Sequence, residues 1–580
     1  MNKTFLELQK AAKKSRLQNP DFNVAVVGDS ATQFLSDSIR GEAYLRGLTV
    51  SVYEADYDSV AQQLIDENGG VYKSQPKYVI IYLSVEKLYD LFSKTRYEDR
   101  RCFAKNVAGQ IELYWQKICR YSSAKIIQYD FIEKNDGIFG NYALNVPESF
   151  LFQIKDLNLH LSELARSYKN AYLLDLNGIA TSFGYNNIFS PQLYDMASLT
   201  LTTDILPRVA GQTIDIIQAA RGASICKCVI LDLDNTLWGG VIGDDGIGGI
   251  ELGDLGSGKA FVRFQRWLKE LTYRGILLCV CSKNDEINAK QPFEEHPDMI
   301  LRLSDITVFM ANWQDKASNI SAIRETLNIG MNSIVFIDDN AFERELVKSR
   351  LPDIIVPEMP KDPSEYVAYL QSLNLFETVS YSQEDRARSE MYKSEAERRK
   401  VSAKYDSLDD FLKDLNMVSE YSSFRPFNYP RIAQLSQRSN QFNLRTIRYT
   451  EDEIAAIADD SGYITLQFCL KDRFGDHGLI SVVIMKIDSD ALFIETWLMS
   501  CRVLKRGMEE FVINTIIDTA EKSGYKRVIG EYIPTAKNGM VADVYEKHGF
   551  KATGDGRYVA DTQKFNKLNT YIRGQNDATE

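Results

Sequence analysis

Val229-Ile-Leu-Asp-Leu-Asp-Asn-Thr-Leu-Trp238 is the stretch on which the reading of the chain turns. Val229 to Asp232 reads as a strand buried on both faces and ending in a carboxylate. A second carboxylate, Asp234, follows two positions later, and then a polar turn. In an open α/β sheet, ligands sit just beyond the carboxyl ends of the strands. A pair of acids at that place is therefore positioned for chemistry. The plainer reading is an apolar strand running into an acidic turn, and the residues further along weigh against it.

Outward from this stretch, Gly239 to Gly258 is too polar and broken for a helix and reads as a flap. Lys259 to Arg274 reads as a helix with Phe261, Phe264, Leu268 and Leu271 on one face. A second buried strand, Ile276 to Val280, ends in Cys281-Ser-Lys-Asn284. Trp313-Gln-Asp-Lys316 opens another helix, and a third strand, Ser333 to Ile337, ends in Asp338-Asp339. Three apolar strands ending in polar groups, with a lysine ahead of a helix, fit phosphoryl transfer through an aspartyl phosphate. Asp232 attacks phosphorus, and Asp234 protonates the leaving oxygen and later activates water. Ser282 and Asn284 hold the phosphoryl oxygens and Lys316 offsets their charge. Asp338 and Asp339, with Asp232 and the backbone of Asp234, complete a hard oxygen site for Mg²⁺. Without the cation, crowded carboxylates take up protons. Singly, each residue has a bland reading: Lys316 is a solvated helix lysine and Asp338-Asp339 a common turn.

Asp-x-Asp-x-Thr over 232–236, with the later Ser, Lys and acidic pair in order, resembles the haloacid dehalogenase superfamily; the resemblance adds Thr236 to the substrate-binding set. Leu231-Asp-Leu-Asp-Asn-Thr-Leu-Trp-Gly-Gly-Val-Ile-Gly-Asp-Asp-Gly246, Cys281-Ser-Lys-Asn284, Ala311-Asn-Trp313 and Phe336-Ile-Asp-Asp-Asn340 with Glu343-Arg344 resemble its FkbH-like branch. So do Ser439-Asn-Gln-Phe-Asn-Leu444, Lys471-Asp-Arg-Phe-Gly-Asp-His-Gly478 and Glu495-Thr-Trp-Leu-Met-Ser-Cys-Arg502. That resemblance implies an enzyme that takes the glyceryl group of 1,3-bisphosphoglycerate, removes phosphate, and loads glyceryl as a thioester onto the phosphopantetheine arm of an acyl carrier protein. It also implies Cys281 as a covalent relay. The other reading of Cys281 is a buried strand cysteine; Lys283 and Mg²⁺ would lower its pKa in the first reading. About 50 residues separate Asp232 from Ser282, too few for a separate cap domain, so an open site that admits an arm is expected.

In the first third, strands read at Asn23–Val27, Thr49–Tyr53, Tyr78–Leu83, Lys125–Tyr129 and Ala171–Asp175, with helical patterns between them such as Val107 to Arg120. Gly28-Asp-Ser30 after the first strand resembles the SGNH hydrolase superfamily, which implies Ser30 as nucleophile. The partner Asp-x-x-His is missing: Asp175 is followed by Leu-Asn-Gly, and His160 is the histidine of this region. A strand-to-helix turn capped by Asp29 or Ser30 explains the same residues, and a fold with lost or altered catalysis is expected.

In the last third, Glu384 to Lys400 reads as a charged connecting helix. Then come a helix at Leu408–Leu415, strands at Tyr463–Leu470, Leu479–Ile487 and Leu492–Met499, a helix at Arg506–Ser523 and a strand at Arg527–Tyr532. This order, with Tyr545-Glu-Lys-His-Gly-Phe550, resembles the GNAT acyltransferase fold. The resemblance implies a pyrophosphate loop carried by Arg502, Lys505 and Gly507, with Lys505 in place of a glycine. His477, beside Asp476, reads either as a polar-turn histidine or as a base in acyl transfer. Asn440 and Asn443 read as turn residues or as amide contacts to a pantetheine chain.

The chain has 580 residues, a hydrophobic fraction of 44% and a charged fraction of 26%, which call for several soluble domains. No apolar run reaches the roughly 20 residues of a membrane helix, and no signal-type segment opens the chain. The eight cysteines lack paired C-x-x-C spacing. A cytoplasmic location is expected, with no membrane association and no zinc. The net charge of −12 argues against nucleic acid as a partner. The expected fold class is α/β: an SGNH-like three-layer domain over 1–220, a Rossmannoid phosphatase domain over 221–376, a helical linker over 377–404 and a GNAT-like α+β domain over 405–580. The leading function is the Mg²⁺-dependent FkbH-type reaction. One alternative is a phosphatase on a small sugar or acyl phosphate with a separate acyltransferase in surface-polysaccharide or secondary-metabolite synthesis; the other is a non-catalytic scaffold. A basic patch of Arg344, Arg445, Arg448, Lys505 and Arg506 is expected to receive an acidic carrier.

Overall fold

Strand β1 (Phe22–Gly28) carries Val24, Ala25, Val26 and Val27 in succession, all fully buried. Burial without alternation marks a parallel strand covered on both faces. With β2 (Val50–Glu54), β3 (Tyr78–Tyr82), β4 (Lys125–Tyr129) and β5 (Ala171–Leu174), it forms a sheet of order β2-β1-β3-β4-β5. All its pairs are parallel. The order reverses between β1 and β3, and Gly28-Asp-Ser30 lies at that switch point. The helices Phe103–Tyr121 and Phe150–Ser167 bury Ile111, Trp115, Ile154 and Leu157.

The structure is a computed structural model and describes residues 3–222, 226–381, 392, 398, 405, 407–439, 441–500, 503–535 and 538–576. By contact the chain divides into two units, Met1–Ser224 with Phe376–Ser380 and Ile225–Leu375 with Tyr381–Glu580. The expected linker over 377–404 lies outside the described residues beyond Tyr381, apart from Tyr392 and Arg398.

The second unit holds two sheets. The first has order β8-β7-β6-β9, from β6 (Cys228–Leu231), β7 (Leu277–Ser282), β8 (Ile306–Ala311) and β9 (Ile334–Ile337). All pairs are parallel. On one face Cys228, Ile230, Cys279 and Cys281 pack with Ala317, Ile320 and Ile323 of the Lys316–Leu327 helix and Val347 of the Ala341–Arg350 helix. Alternation sends Val229, Leu231, Leu278 and Val280 to the other face. Edge strand β8 and the Glu286–Glu295 helix are absent from the sequence reading. That helix carries Pro292 inside it, a residue that argues against a helix. Between β6 and β7 stand the Ile242–Asp245 and Gly256–Tyr273 helices and, among the described residues, no further sheet; the first of these interrupts what the sequence presents as an irregular flap.

The second sheet runs β15-β16-β14-β13-β12-β11-β10-β17. Its central strands are β11 (Tyr463–Asp472), β12 (Gly475–Asp488) and β13 (Ala491–Met499), paired antiparallel. β14 (Arg527–Glu531) pairs parallel with β13 after the crossover helix Met508–Lys522. β10 (Val418–Ser422) and β17 (Arg573–Asn576) extend one edge, and β15 (Lys551–Gly554) and β16 (Arg557–Asp561) the other. One face packs Val483, Met485 and Trp497 with Val512 and Ile516 of the crossover helix. The opposite face packs Val482, Ile484 and Leu498 with Ile432 and Ile454. Among the described residues no helix is long and apolar enough to cross a membrane.

Candidate active site

Asp232 stands at the carboxyl end of β6, where its N–H still donates to the Ile337 carbonyl at 3.0 Å. Its Oδ2 lies 2.9 Å from Lys316 Nζ, and the same ammonium lies 2.6 Å from Asp338 Oδ2. Lys316 begins its helix directly after the N-cap Asp315, and at 3% exposure it is a buried site residue and not a solvated helix lysine. Carboxylate oxygens of Asp232, Asp338 and Asp339 lie within 4.8 Å of one another. Burial would lower the Lys316 ammonium, but Asp232 and Asp338 outweigh it and hold it well above the lysine range. Three carboxylates face one ammonium, and the excess shows: burial, then Asp232, push Asp338 up to about 6. Asp339 is raised by the same two causes.

Asp232 Oδ1 is buried and has no hydrogen-bond partner among the described residues. A buried carboxylate oxygen left unpaired is costly. An unpaired oxygen, hard oxygen donors and an excess of negative charge together fit a small divalent cation such as Mg²⁺.

Asp234 is held from three directions. Its Oδ1 accepts from Trp238 Nε1 and from the Ile242 N–H, each at 3.0 Å, and its Oδ2 accepts from Asn284 Nδ2 at 2.8 Å. The segment expected as a flap thus ties back onto Asp234 through Ile242. Asn284 Nδ2 also lies 3.3 Å from Ser282 Oγ, and both residues are buried. Thr236, expected at the substrate, instead holds the acidic loop. Its hydroxyl accepts from the Asp339 N–H at 3.1 Å and donates to Asp339 Oδ1 at 3.3 Å.

Of the two readings of Cys281, the geometry favours the buried strand cysteine. The residue is 0% exposed, and its Sγ lies 3.8 Å from the Lys316 carbonyl oxygen. Burial pushes the thiol well above the usual range; Lys316 opposes this, and Asp232, Asp338 and Glu343 add to it. Lys283, expected to assist a thiolate, pairs with Glu343 Oε1 at 2.5 Å. The thiol therefore packs, and thiolate chemistry is disfavoured.

In the C-terminal sheet His477 is 4% exposed, with Nε2 3.0 Å from Asp472 Oδ2. Its partner is Asp472 and not the neighbouring Asp476, which lies exposed beside Lys471. Arg398 and Arg506 also reach Asp472. Sequence distance hides this group, since Arg398 is 74 residues from Asp472. Gly507 caps the crossover helix with φ 80°, and Lys505 takes φ 62°, the left-handed conformation that a glycine adopts at no cost. Asn443 is buried and donates to the Ser439 carbonyl, which makes it a turn residue. Arg502 and Asn440 lie outside the described residues.

The expected basic patch does not form as a surface. Arg344 is buried and donates to the carbonyls of Asp338 and Asp339 at 2.9 and 2.7 Å. Arg506 is buried at Asp472, and Arg445 pairs with Glu531 at 2.7 Å. Arg448 and Lys505 remain exposed.

In the N-terminal unit Ser30 is buried, with Oγ 3.1 Å from Thr200 Oγ1, which in turn lies 2.7 Å from Tyr82 OH. Asp175 caps a helix by accepting the Gly178 N–H. His160 faces Asp156 and Glu163 on its own helix. Among the described residues the hydrogen-bond partner of the Ser30 hydroxyl is another hydroxyl.

A parallel sheet that brings an acid pair, a serine, a lysine and a second acid pair to the ends of neighbouring strands is a phosphatase domain of haloacid dehalogenase type. Residues 23–218 match the family model described as the FkbH N-terminal domain. The crystal structure of the N-terminal part of the protein BF1531 from Bacteroides fragilis, containing a phosphatase domain complexed with Mg, is 43% identical with a TM-score of 0.62; it covers 65% of this chain and 100% of that one. The chain belongs to the FkbH-like family and is an enzyme. The ribosomal-protein-S18-alanine N-acetyltransferase of Escherichia coli is 18% identical with a TM-score of 0.19, covering 24% of this chain and 91% of that one. An acetyltransferase of the GNAT family from Streptococcus pneumoniae is 15% identical with a TM-score of 0.20, covering 24% of this chain and 96% of that one. Likenesses of that size carry no argument about activity. A search of the curated proteins found no match.

Proposed function

We propose that the chain is an Mg²⁺-dependent phosphatase that also transfers an acyl group, taking a small acyl phosphate such as 1,3-bisphosphoglycerate and placing the glyceryl group on the phosphopantetheine arm of an acyl carrier protein. The observation that carries the phosphatase half is the unpartnered Asp232 Oδ1 beside the Lys316-bridged carboxylates. Asp232, Asp338 and Asp339 would hold the cation, which neutralises the phosphoryl group when bound.

In this reading Asp232 attacks the phosphorus of the phosphate ester, the P–O bond to the alcohol breaks, and Asp234 gives the departing oxygen its proton. Asp234 then takes a proton from the water that cleaves the aspartyl phosphate. Asn284 and Trp238 fix the Asp234 carboxylate for both steps, and the Lys316 ammonium offsets charge on the phosphoryl oxygens. The lack of a further sheet between β6 and β7 among the described residues supports a site without a separate cap domain. The support for the acyl half is the family likeness together with the buried imidazole of the C-terminal sheet.

A plain phosphatase with a separately acting C-terminal domain is the second reading, and the burial of Cys281 supports it. The test is to incubate the protein with Mg²⁺, 1,3-bisphosphoglycerate and a phosphopantetheinylated carrier, following carrier mass and phosphate. A mass gain that is lost in Asp232→Asn supports the first reading. Phosphate release with no carrier gain supports the second.

A further inference from the structure

At the β11–β12 hairpin lies a cluster that the phosphatase chemistry leaves unused. The Asp472 carboxylate is fully buried at the end of β11. Arg398 Nη2 lies 3.1 Å from its Oδ1 and 2.9 Å from its Oδ2, the Phe474 N–H donates to Oδ1 at 2.8 Å, and Arg506 Nη1 stands 3.6 Å from Oδ2. His477 Nε2 is 3.0 Å from Oδ2 and 3.1 Å from Arg398 Nη2. The two Nη2 hydrogens of Arg398 have the two carboxylate oxygens to serve. A lone pair on Nε2 would face a carboxylate, so Nε2 carries the proton and donates to Asp472. The lone pair is then on Nδ1, which has no hydrogen bond to a described residue. Burial, aided by Arg398 and Arg506, lowers the imidazole pKa against the pull of Asp472, and the ring is neutral at pH 7. A neutral imidazole oriented by a buried carboxylate is built as a general base.

The second observation concerns the crossover helix. Arg506 directly precedes its N-cap Gly507, at the parallel step from β13 to β14. A helix start binds a pyrophosphate through free N–H groups. This one carries acidic side chains. Glu509 Oε1 accepts the Lys505 N–H at 3.1 Å, and Glu509 and Glu510 occupy the first turn. Thr570 Oγ1 donates to the Gly507 carbonyl at 2.8 Å, and the Arg506 guanidinium points at Asp472. A nucleotide pyrophosphate would meet two acidic side chains there.

We propose that His477, positioned by Asp472, is the base of the acyl-transfer step, and that the thiol it serves is a pantetheine arm without the nucleotide of coenzyme A. This rests on the acyl-transfer half of the function proposed above. Nδ1 takes the proton of the arm thiol, and sulfur attacks the carbonyl carbon of the acyl phosphate. The C–S bond forms, the C–O bond to phosphate breaks, and phosphate leaves with that electron pair; the imidazolium then returns its proton to the phosphate or to water.

The experiment uses the full chain with Mg²⁺ and 1,3-bisphosphoglycerate, offering either a phosphopantetheinylated carrier or coenzyme A at the same concentration. The carrier is expected to gain the glyceryl mass and coenzyme A to stay free. His477→Gln is expected to cut loading by about 100-fold or more while phosphate-ester hydrolysis stays within about twofold. The wild-type loading rate should rise with pH along a limb below the 6.5 of a free imidazole. Asp472→Asn should move that limb lower, because it removes the group that raises the imidazole; a purely structural loss would leave the limb in place. Long-range proton–nitrogen spectra, in a chain with four histidines, should show His477 protonated on Nε2 alone at pH 7. Glyceryl-coenzyme A formed as fast as glyceryl-carrier, undiminished loading by His477→Gln, or a proton on Nδ1 would overturn the inference. Phosphate release without loading of either thiol would mean that the acyl-transfer reading itself fails.

Discussion

The Sγ of Cys281 lies 3.8 Å from the carbonyl oxygen of Lys316. The thiol at the end of β7 thus packs on the backbone of the residue that bridges Asp232 and Asp338. Its burial, and the upward push that burial gives the thiol, favour a packing role over a covalent one. Cys281→Ala is expected to keep phosphate release within about threefold and to cost about 1 kcal/mol of stability. Steady-state phosphate release and a thermal melt check both. Loading of the carrier should persist; if it vanishes while phosphate release stays normal, the thiol is a relay after all.

Lys316 sits between Asp232 and Asp338 with almost no exposure. Removing it leaves buried carboxylates without their counter-charge, and breaking such a pair costs about 3–5 kcal/mol. Lys316→Ala should therefore lower both the melting temperature and the rate of phosphate release, the latter by about 1,000-fold, since the transition state loses a preorganised cation. A variant that melts lower yet turns over normally would show that Lys316 is structural only.

Thr236 bonds to Asp339 through both its acceptor and its donor capacity. These bonds tie it to the acidic loop that would hold the cation in the function proposed above. Thr236→Val should raise the Mg²⁺ needed for half-maximal phosphate release by about tenfold, with KM for the phosphate substrate unchanged at saturating Mg²⁺. An Mg²⁺ titration and a substrate titration separate the two roles. A raised KM at an unchanged Mg²⁺ requirement would return Thr236 to the substrate.

The strand ends were legible because burial on both faces writes an unbroken apolar run, and the chemistry follows directly: Val229 to Leu231 leads to Asp232, Leu277 to Val280 leads to Ser282, and Ile334 to Ile337 leads to Asp338. Edge strand β8 was not legible. Its Ile-Thr-Val-Phe-Met-Ala is only six residues long and partly exposed, and nothing local separates such a run from loop. Side-chain destinations were the least legible. Arg344 looks like a surface cation in sequence, yet its guanidinium satisfies the carbonyls of Asp338 and Asp339. Ser30 meets Thr200 across 170 residues, and His477 finds Asp472 through a hairpin whose turn alone is visible. Periodicity reports which face a residue takes and is silent on which distant residue it meets.

The Asp472 cluster also carries an acid-stability signature. Burial alone would raise this carboxyl, but the His477 hydrogen bond and the charge of Arg398 hold it at about 2, against 3.8 for a free aspartate. A depressed acid stabilises the fold above its unfolded pKa and loses that contribution as pH falls through the folded one. The shift corresponds to about 2 kcal/mol, present at pH 4 and above and fading toward pH 2. His477 acts in the same direction over a higher window. Its folded pKa lies below 6.5, so the unfolded chain takes up a proton first and stability declines as pH drops below that value. Asp472→Asn removes the carboxylate and leaves Arg398 buried without it. The variant should be less stable than wild type by about 2–4 kcal/mol at pH 7, with the gap narrowing as pH approaches 2.5. Urea unfolding followed at pH 7, 4 and 2.5 reads the gap directly. A gap of constant size at all three would mean that Asp472 contributes through packing and that its charge is immaterial.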